Sequence, residues 1–443
     1  MSARAVTGWE AVRSSLWFLP SLLVLAGAAL ALGLLGLEDS VGEEALERLP
    51  FLFGAGPEGA RGMLTAIAGS MLGLAGITFS STLVALSLAA TTYTPRILRN
   101  FLRDRGNQIV LGTVLATFVY CLLVLRVVRE GEQPFVPSLA VTGALILALA
   151  DLGLFIYFID HIAQSIQAST IAENITKDTR STIDDLFPGR VGVSAGEPEE
   201  EPEPPGLDEG VPVLAPRAGY IQIADLEELL GLTVELDLVL RTEQEIGDFV
   251  ARGAPLATLA PRERADGEAT RRAQRTFGIG KERTPRQDVA FGFRQLVDIA
   301  LKALSPGVND VTTATICIDH LGDLLRTLGE REMPSAYRRD GEGRLRVIAR
   351  RPSWVDMLDL AFDQIRVAGG GQAAVILRLL GVIADLASAT ESRKRRRALL
   401  EHANRLRDTA DSGFSDRPDR ERVGRELDRV GRALGDVGDV ETI

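Results

Sequence analysis

The stretch "ITFSSTLVALSLAATTYTPRILRNFLRDR", Ile77 to Arg105, decides how the chain is read. It begins apolar enough for a bilayer, yet hydroxyl side chains are spread through it and it ends in a proline and a series of arginines. Extended backwards, the apolar run covers Met63 to about Tyr93, more than the roughly 20 residues that cross about 30 Å of hydrocarbon. Its excess is expected to tilt or project beyond the bilayer before Pro95 stops the helix. Gly69, Gly73, Gly76, Ser80, Ser87, Thr91 and Thr94 recur at steps of three, four or seven, which predicts small or hydroxyl side chains on one helical face, with Leu83 the exception.

Three more runs have spanning length: "LWFLPSLLVLAGAALALGLLGL" from Leu16 to Leu37, Gln108 to Val128, and Leu139 to Ile162. The first is too long for the apolar centre of a signal peptide, so it is read as a span. The fold class is therefore a membrane α-helical domain of four transmembrane helices, followed by an α+β region that carries most of the charge. Between the first two spans Glu38, Asp39, Glu43, Glu44, Glu47 and Glu58 outnumber Arg48 and Arg61. The next connection holds Arg96, Arg99, Arg103 and Arg105 against Asp104. The positive-inside rule places that second connection in the cytoplasm, and with four spans both termini lie there too.

Two readings of the hydroxyl stripe stand side by side. Small residues let helices approach closely in lipid, so Ser80, Ser87, Thr91 and Thr94 fit a packed helix interface. Repeated around a symmetry axis, the same face would line a narrow polar path for an ion or small solute, with Arg96, Arg99, Arg103 and Arg105 as a basic collar at its mouth. Those arginines equally suit lipid phosphates or simple orientation. Asp151 sits near the middle of the fourth span, where an acid is expected to serve a site or to specify helix register.

The domains are read as 1–166, the membrane helices; 167–195, a helical stalk; 196–210, an acidic proline-rich linker, "GEPEEEPEPPGLDEG"; 211–262, a small β barrel-like module; 263–412, a mainly helical region with a β-hairpin turning at Asp340 to Gly343; and 413–443, a weakly ordered C-terminal helix. In the β module, "VPVLAPRAGYIQIA" and "IGDFVARGAPLATL" resemble the paired halves of a lipoyl-type barrel. The interval Ala224 to Arg241 has no lysine to carry a lipoyl or biotinyl group, so no cofactor is expected. Val289, Phe293, Leu296, Val297, Ala300, Leu301 and Leu304 follow helical spacing, Ser305 to Gly307 breaks it, and Asp310 is placed to cap a second helix.

Across "TFSSTLVALSLAATTYTPRILRNFLRDR", "VLGTVLATFVYCLLVLRVVR", "GYIQIAD", "GDFVARG" and "QDVAFGFRQLVDIALKALSPGVNDVTTA", the chain resembles the bacterial integral membrane proteins catalogued as domain of unknown function 2254. Val311 stands where the motif leads one to expect proline. The resemblance implies a multi-pass protein of the bacterial inner membrane with a cytosolic C-terminal region, and it carries over no catalytic residues.

Composition narrows the functional classes. A net charge of -11 and the absence of a basic stripe with interleaved aromatics argue against a nucleic-acid partner. Two cysteines and three scattered histidines supply neither a disulfide framework nor metal-ligand spacing. "FGIGK" at Phe277 to Lys281 lacks the first glycine and the final hydroxyl of a phosphate loop. "RKRRR", Arg393 to Arg397, reads as a solvated helix face. With no catalytic constellation, an enzyme has least support. The expectation is a homo-oligomer in contact with membrane lipids that passes a small ion or solute under a cytosolic regulatory domain. The rival is a membrane-anchored scaffold or sensor that recruits a cytosolic protein partner.

Overall fold

The computed structural model describes residues 17–40, 56–92, 104–130, 134–187, 206–331, 333 and 335–435. The chain divides into two compact units between Gln167 and Ala168.

The first unit holds α1 (Phe18–Ser40), α2 (Pro57–Thr92), α3 (Arg105–Leu125) and α4 (Ser138–Ser165), and all four are long and apolar enough to cross a membrane. Each of the runs expected at 16–37, 63–93, 108–128 and 139–162 corresponds to one of these helices, with residues 16 and 93 outside the described residues and α3 ending at Leu125. α3 lies at the centre and packs against the other three. Without a hydrophobic drive between helices in lipid, close approach depends on small residues, and the α1–α3 crossing has them on both sides. A Cβ on Gly27 would sit 2.9 Å from the Ala116 backbone oxygen, and one on Gly112 would sit 2.9 Å from Pro20 Cα. Against α4, the buried Tyr120 hydroxyl donates to the Ala140 carbonyl at 2.7 Å. At the start of α4, the Leu139 amide donates to Glu38 Oε1 of α1 at 3.0 Å, which satisfies a first-turn N–H that the helix itself leaves open.

The second unit begins with α5 (Ala168–Leu186). It lies within the stretch 167–195 read as a helical stalk, of which 188–195 fall outside the described residues, and it buries Ile171, Ile175 and Ile183 and packs on α8 (Val289–Ala303) and α9 (Val311–Gly329). Gly292 of α8 allows this approach, since a Cβ there would collide with Thr179. Asp310 caps α9 as its position predicts, accepting from the Thr313 amide at 3.0 Å and from the Thr313 hydroxyl at 2.6 Å.

The strands are β1 (Val211–Leu214), β2 (Gly219–Ala224), β3 (Val239–Thr242), β4 (Phe249–Val250), β5 (Pro255–Ala260), β6 (Phe277–Gly280), β7 (Tyr337–Arg339) and β8 (Leu345–Ile348). The two quoted halves do pair, β1 with β5 and β2 with β4. They belong to two open sheets, ordered β1-β5-β3-β8-β7 and β4-β2-β6, and no closed barrel forms among the described residues. The departure has a physical cause: the hairpin β7–β8 adds to the exposed side of β3 by a parallel pairing, Leu240 with Val347, and so supplies an edge that barrel closure would otherwise have to cover. α6 (Leu226–Glu235) and α7 (Gly267–Arg275) pack over this core, and their buried Leu229, Leu232, Ala269 and Ala273 join Leu240, Leu256, Leu259 and Val347.

Arg346 of β8, almost fully buried, donates to Asp340 Oδ2 at 2.8 Å and to Asp237 Oδ1 at 2.7 Å. Asp237 has φ 50°, a left-handed conformation that aspartate tolerates better than most residues. α10 (Trp354–Ala368), α11 (Ala373–Ala389), α12 (Arg393–Gly413) and α13 (Arg417–Leu434) complete the unit. The run Arg393 to Arg397 is not simply a solvated face. Arg395 is buried, donates to the Gly329 carbonyl at 2.7 Å and lies over the Trp354 ring, while Arg396 donates to the carbonyls of Thr390 and Leu434. Arginine's long stem and planar head let it bury while its donors reach backbone oxygens, an outcome that charge counting along the chain does not show.

Candidate functional site in the membrane helices

α2 presents two different long faces. Leu64, Ala68, Met71, Ala75, Thr78, Ala85 and Ala89 are buried, and this mostly alanine face packs on α3 and α4. Gly69, Gly73, Gly76, Ser80, Ser87 and Thr91 are exposed on the single chain, and a Cβ at any of the three glycines would meet nothing. Thr91 satisfies its own hydroxyl by donating to the Ser87 carbonyl at 3.0 Å. Leu72, Phe79, Val84 and Leu88 are also exposed and offer an apolar surface suited to lipid.

Asp151, halfway along α4, is 2% exposed and turned inward. Its carboxyl lies against the hydroxyls of Thr113 and Thr117, which are four residues apart and therefore on one side of α3. Its Oδ2 has no hydrogen-bond partner. An unsatisfied acid in that position is costly, and an inward-facing polar pocket is the arrangement in which membrane proteins tolerate one.

A further polar group lies at the end of the unit where α3 begins. Asp104 caps α3 through Oδ1, which accepts from the Gly106 amide at 2.8 Å, while its Oδ2 meets His161 Nε2 of α4 at 2.7 Å. Glycine at 106 makes room, since a Cβ there would lie 2.8 Å from His161 Nε2. Tyr157 stacks on the imidazole with centroids 5.3 Å apart. One turn further along α3, the Asn107 side chain is buried and neither its oxygen nor its nitrogen has a partner.

The structure therefore sets Asp151 apart from Ser80, Ser87 and Thr91: the acid faces α3 from within, and the hydroxyls lie on the outer side of α2. Arg105 is the exposed first residue of α3. Thr94, Arg96, Arg99 and Arg103 lie outside the described residues. From sequence His161 reads as an interfacial residue at the end of the fourth span, and neither its pairing with Asp104 nor Asn107 is visible there, because the two partners come from different spans.

Folding also gathers Asp359, Asp363 and His402, a grouping invisible in the spacing of the three histidines. His402 Nε2 is 2.7 Å from Asp359, and Arg405 reaches both carboxylates at 3.7 and 3.1 Å. The guanidinium already balances these acids, so the cluster is read as a charged clasp between α10 and α12.

The family described as "Predicted membrane protein (DUF2254)" matches residues 13–385. Uncharacterised proteins of Mycobacterium bovis and Mycobacterium tuberculosis are each 33% identical over 421 residues, covering 93% of this chain and 79% of the relative. No solved structure matches. Four bilayer-length helices, with α3 at their centre, agree with that description, and the match spans both units. The chain belongs to the family of predicted membrane proteins that bear domain of unknown function 2254.

Proposed function

We propose that the protein assembles as a homo-oligomer in the bacterial inner membrane and passes a small ion or solute, with the second unit in the cytoplasm as gate or sensor. The observation that carries this reading is the uncovered face of α2. Among the described residues no helix covers Gly69, Gly73, Gly76, Ser80, Ser87 and Thr91, while the alanine face is packed. A neighbouring copy placed on this face would bring backbones close, and hydroxyls turned to a symmetry axis would offer water a polar surface. Arg105, together with Arg96, Arg99 and Arg103, would form the basic mouth. Asp151 with Thr113 and Thr117 would stand behind the path as a polar element able to change protonation or partner. No enzymatic step is part of this reading.

The test is reconstitution of the purified oligomer into liposomes with ion flux and single-channel recording. Flux that falls in Ser80→Leu and Ser87→Leu, but not in Val84→Leu on the lipid-suited face, supports the reading. An intact oligomer that passes nothing across voltages, pH values and ions overturns it, and leaves the scaffold or sensor that recruits a cytosolic protein partner.

A further inference from the structure

A cavity of about 1020 Å³ lies within the second unit. Its size is at the upper end of small-molecule sites. Part of the wall is apolar and aromatic, with Phe187, Ile223, Phe277 and Tyr337. The first turns of four helices also contribute: Leu226 of α6, Val289 of α8, the cap Ser353 of α10, and Lys394 of α12. Helix starts carry amides without intrahelical partners and the positive end of the helix dipole, so together they favour an anion. Asp225, Asp288 and Ser353 each accept one amide as caps, and a helix start has more first-turn amides than one cap satisfies.

Charge on the lining is divided. Asp288 is committed, since Arg283 donates to both its carboxylate oxygens at 2.8 Å. Glu245 is half-buried, with Arg350 nearby and Asp248 and Asp356 repelling it. Arg351 differs from both. It is partly buried, and the charged group that acts on it is another cation, Arg338. Among the described residues no hydrogen bond or ion pair holds the Arg351 side chain, and the buried Arg338 Nε also lacks a partner. Burial, with Arg338 adding repulsion, pushes Arg351 below the usual arginine range. A partly buried guanidinium that holds no carboxylate and feels a second cation is unfavourable until an anion pairs with it.

We propose that this cavity binds an organic phosphate of nucleotide size, its phosphate held by Arg351 and the surrounding helix starts and its ring system against Phe187, Phe277 and Tyr337. Arginine's fork pairs bidentately with phosphate, and the aromatic wall offers a flat apolar body a surface. Binding in this cavity is independent of whether the membrane helices conduct.

The experiment uses the full-length protein in detergent and trinitrophenyl-ATP, a fluorescent nucleotide with an apolar ring. A saturable fluorescence rise that ATP reverses is expected. Arg351→Gln should weaken binding about tenfold or more, as loss of a charge-assisted bond implies. Arg351→Lys, which keeps the charge but not the fork, should restore only part of it, and Arg262→Gln, at an exposed site elsewhere, should change nothing. Without ligand, Arg351→Gln should melt at or above the wild-type temperature, because it removes a repelled cation, which shows that any loss of binding is not loss of fold. Absence of saturable binding by the folded wild type, or Arg351→Gln binding as tightly as wild type, overturns the proposal. Neither result bears on flux, which is read separately in liposomes.

Discussion

His161 Nε2 lies 2.7 Å from Asp104 Oδ2, so the end of α4 is tied to the residue that caps α3. One carboxylate holds two helices through its two oxygens. Asp104→Asn should weaken both interactions and lower stability by about 1–2 kcal/mol. Gly106→Ala should destabilise as well, because its methyl would press on the imidazole. Thermal unfolding in detergent, with each variant compared with wild type, measures both.

The close α1–α3 crossing predicts a contrast between glycines. Gly112→Leu must displace Pro20 and Leu23 and should sharply reduce folded yield. Gly73→Leu faces open space on the single chain, so it should leave the monomer's fold intact. If α2 forms the contact between copies, that same variant should lose oligomer in chemical cross-linking of membranes.

Asp151 and Asn107 test whether the buried polar groups serve structure or passage. Replacing an unpartnered buried polar group by an apolar one of similar size is often neutral or stabilising. Asn107→Leu is therefore expected to melt no lower than wild type, and Asp151→Asn, which keeps an oxygen for the Thr113 and Thr117 hydroxyls, close to wild type. Loss of flux in such stable variants would separate a functional role from a structural one.

Acid should loosen the β7–β8 hairpin in a defined direction. Arg346, by hydrogen bonding, holds the Asp340 and Asp237 carboxyls below their usual range. A carboxylate depressed in the folded state contributes its full stability above the unfolded value, near 4, and loses it as pH falls towards the depressed folded value. The wild-type melting temperature should fall through that window, and Arg346→Gln, though less stable at neutral pH, should show a shallower fall.

Cys317 is buried, and burial pushes its thiol up to about 12, with Asp310 and Asp319 adding to the shift. The native protein should resist maleimide at pH 8 at this site, and labelling should follow unfolding. Peptide mapping of labelled protein before and after denaturant provides the measurement.

The spans were legible because bilayer length is a one-dimensional property, as the agreement of α1 to α4 with the apolar runs shows. Asp151 was visible as an acid in a span, but Thr113 and Thr117 were not visible as its neighbours, because helix rotation is settled by packing around α3. The α8–α9 hairpin could be read from apolar spacing and the cap at Asp310. The open sheets could not, since the partner of β3 is a strand distant in sequence. The cavity was also hidden: its wall is collected from four helix starts, each with an ordinary capping sequence of its own. Arg351 differs from a surface arginine by its partial burial in that wall and by the influence of Arg338, and neither is written in the local sequence.

The parallel pairing of Leu240 with Val347 affects how the protein is made. Everything from α7 to β7 must leave the ribosome before β3 gains its second neighbour, so until then one edge of the growing sheet stands open to other chains. Ending translation before Leu345 would make that exposure permanent. Such a fragment should aggregate or be degraded, even though its membrane helices are already complete.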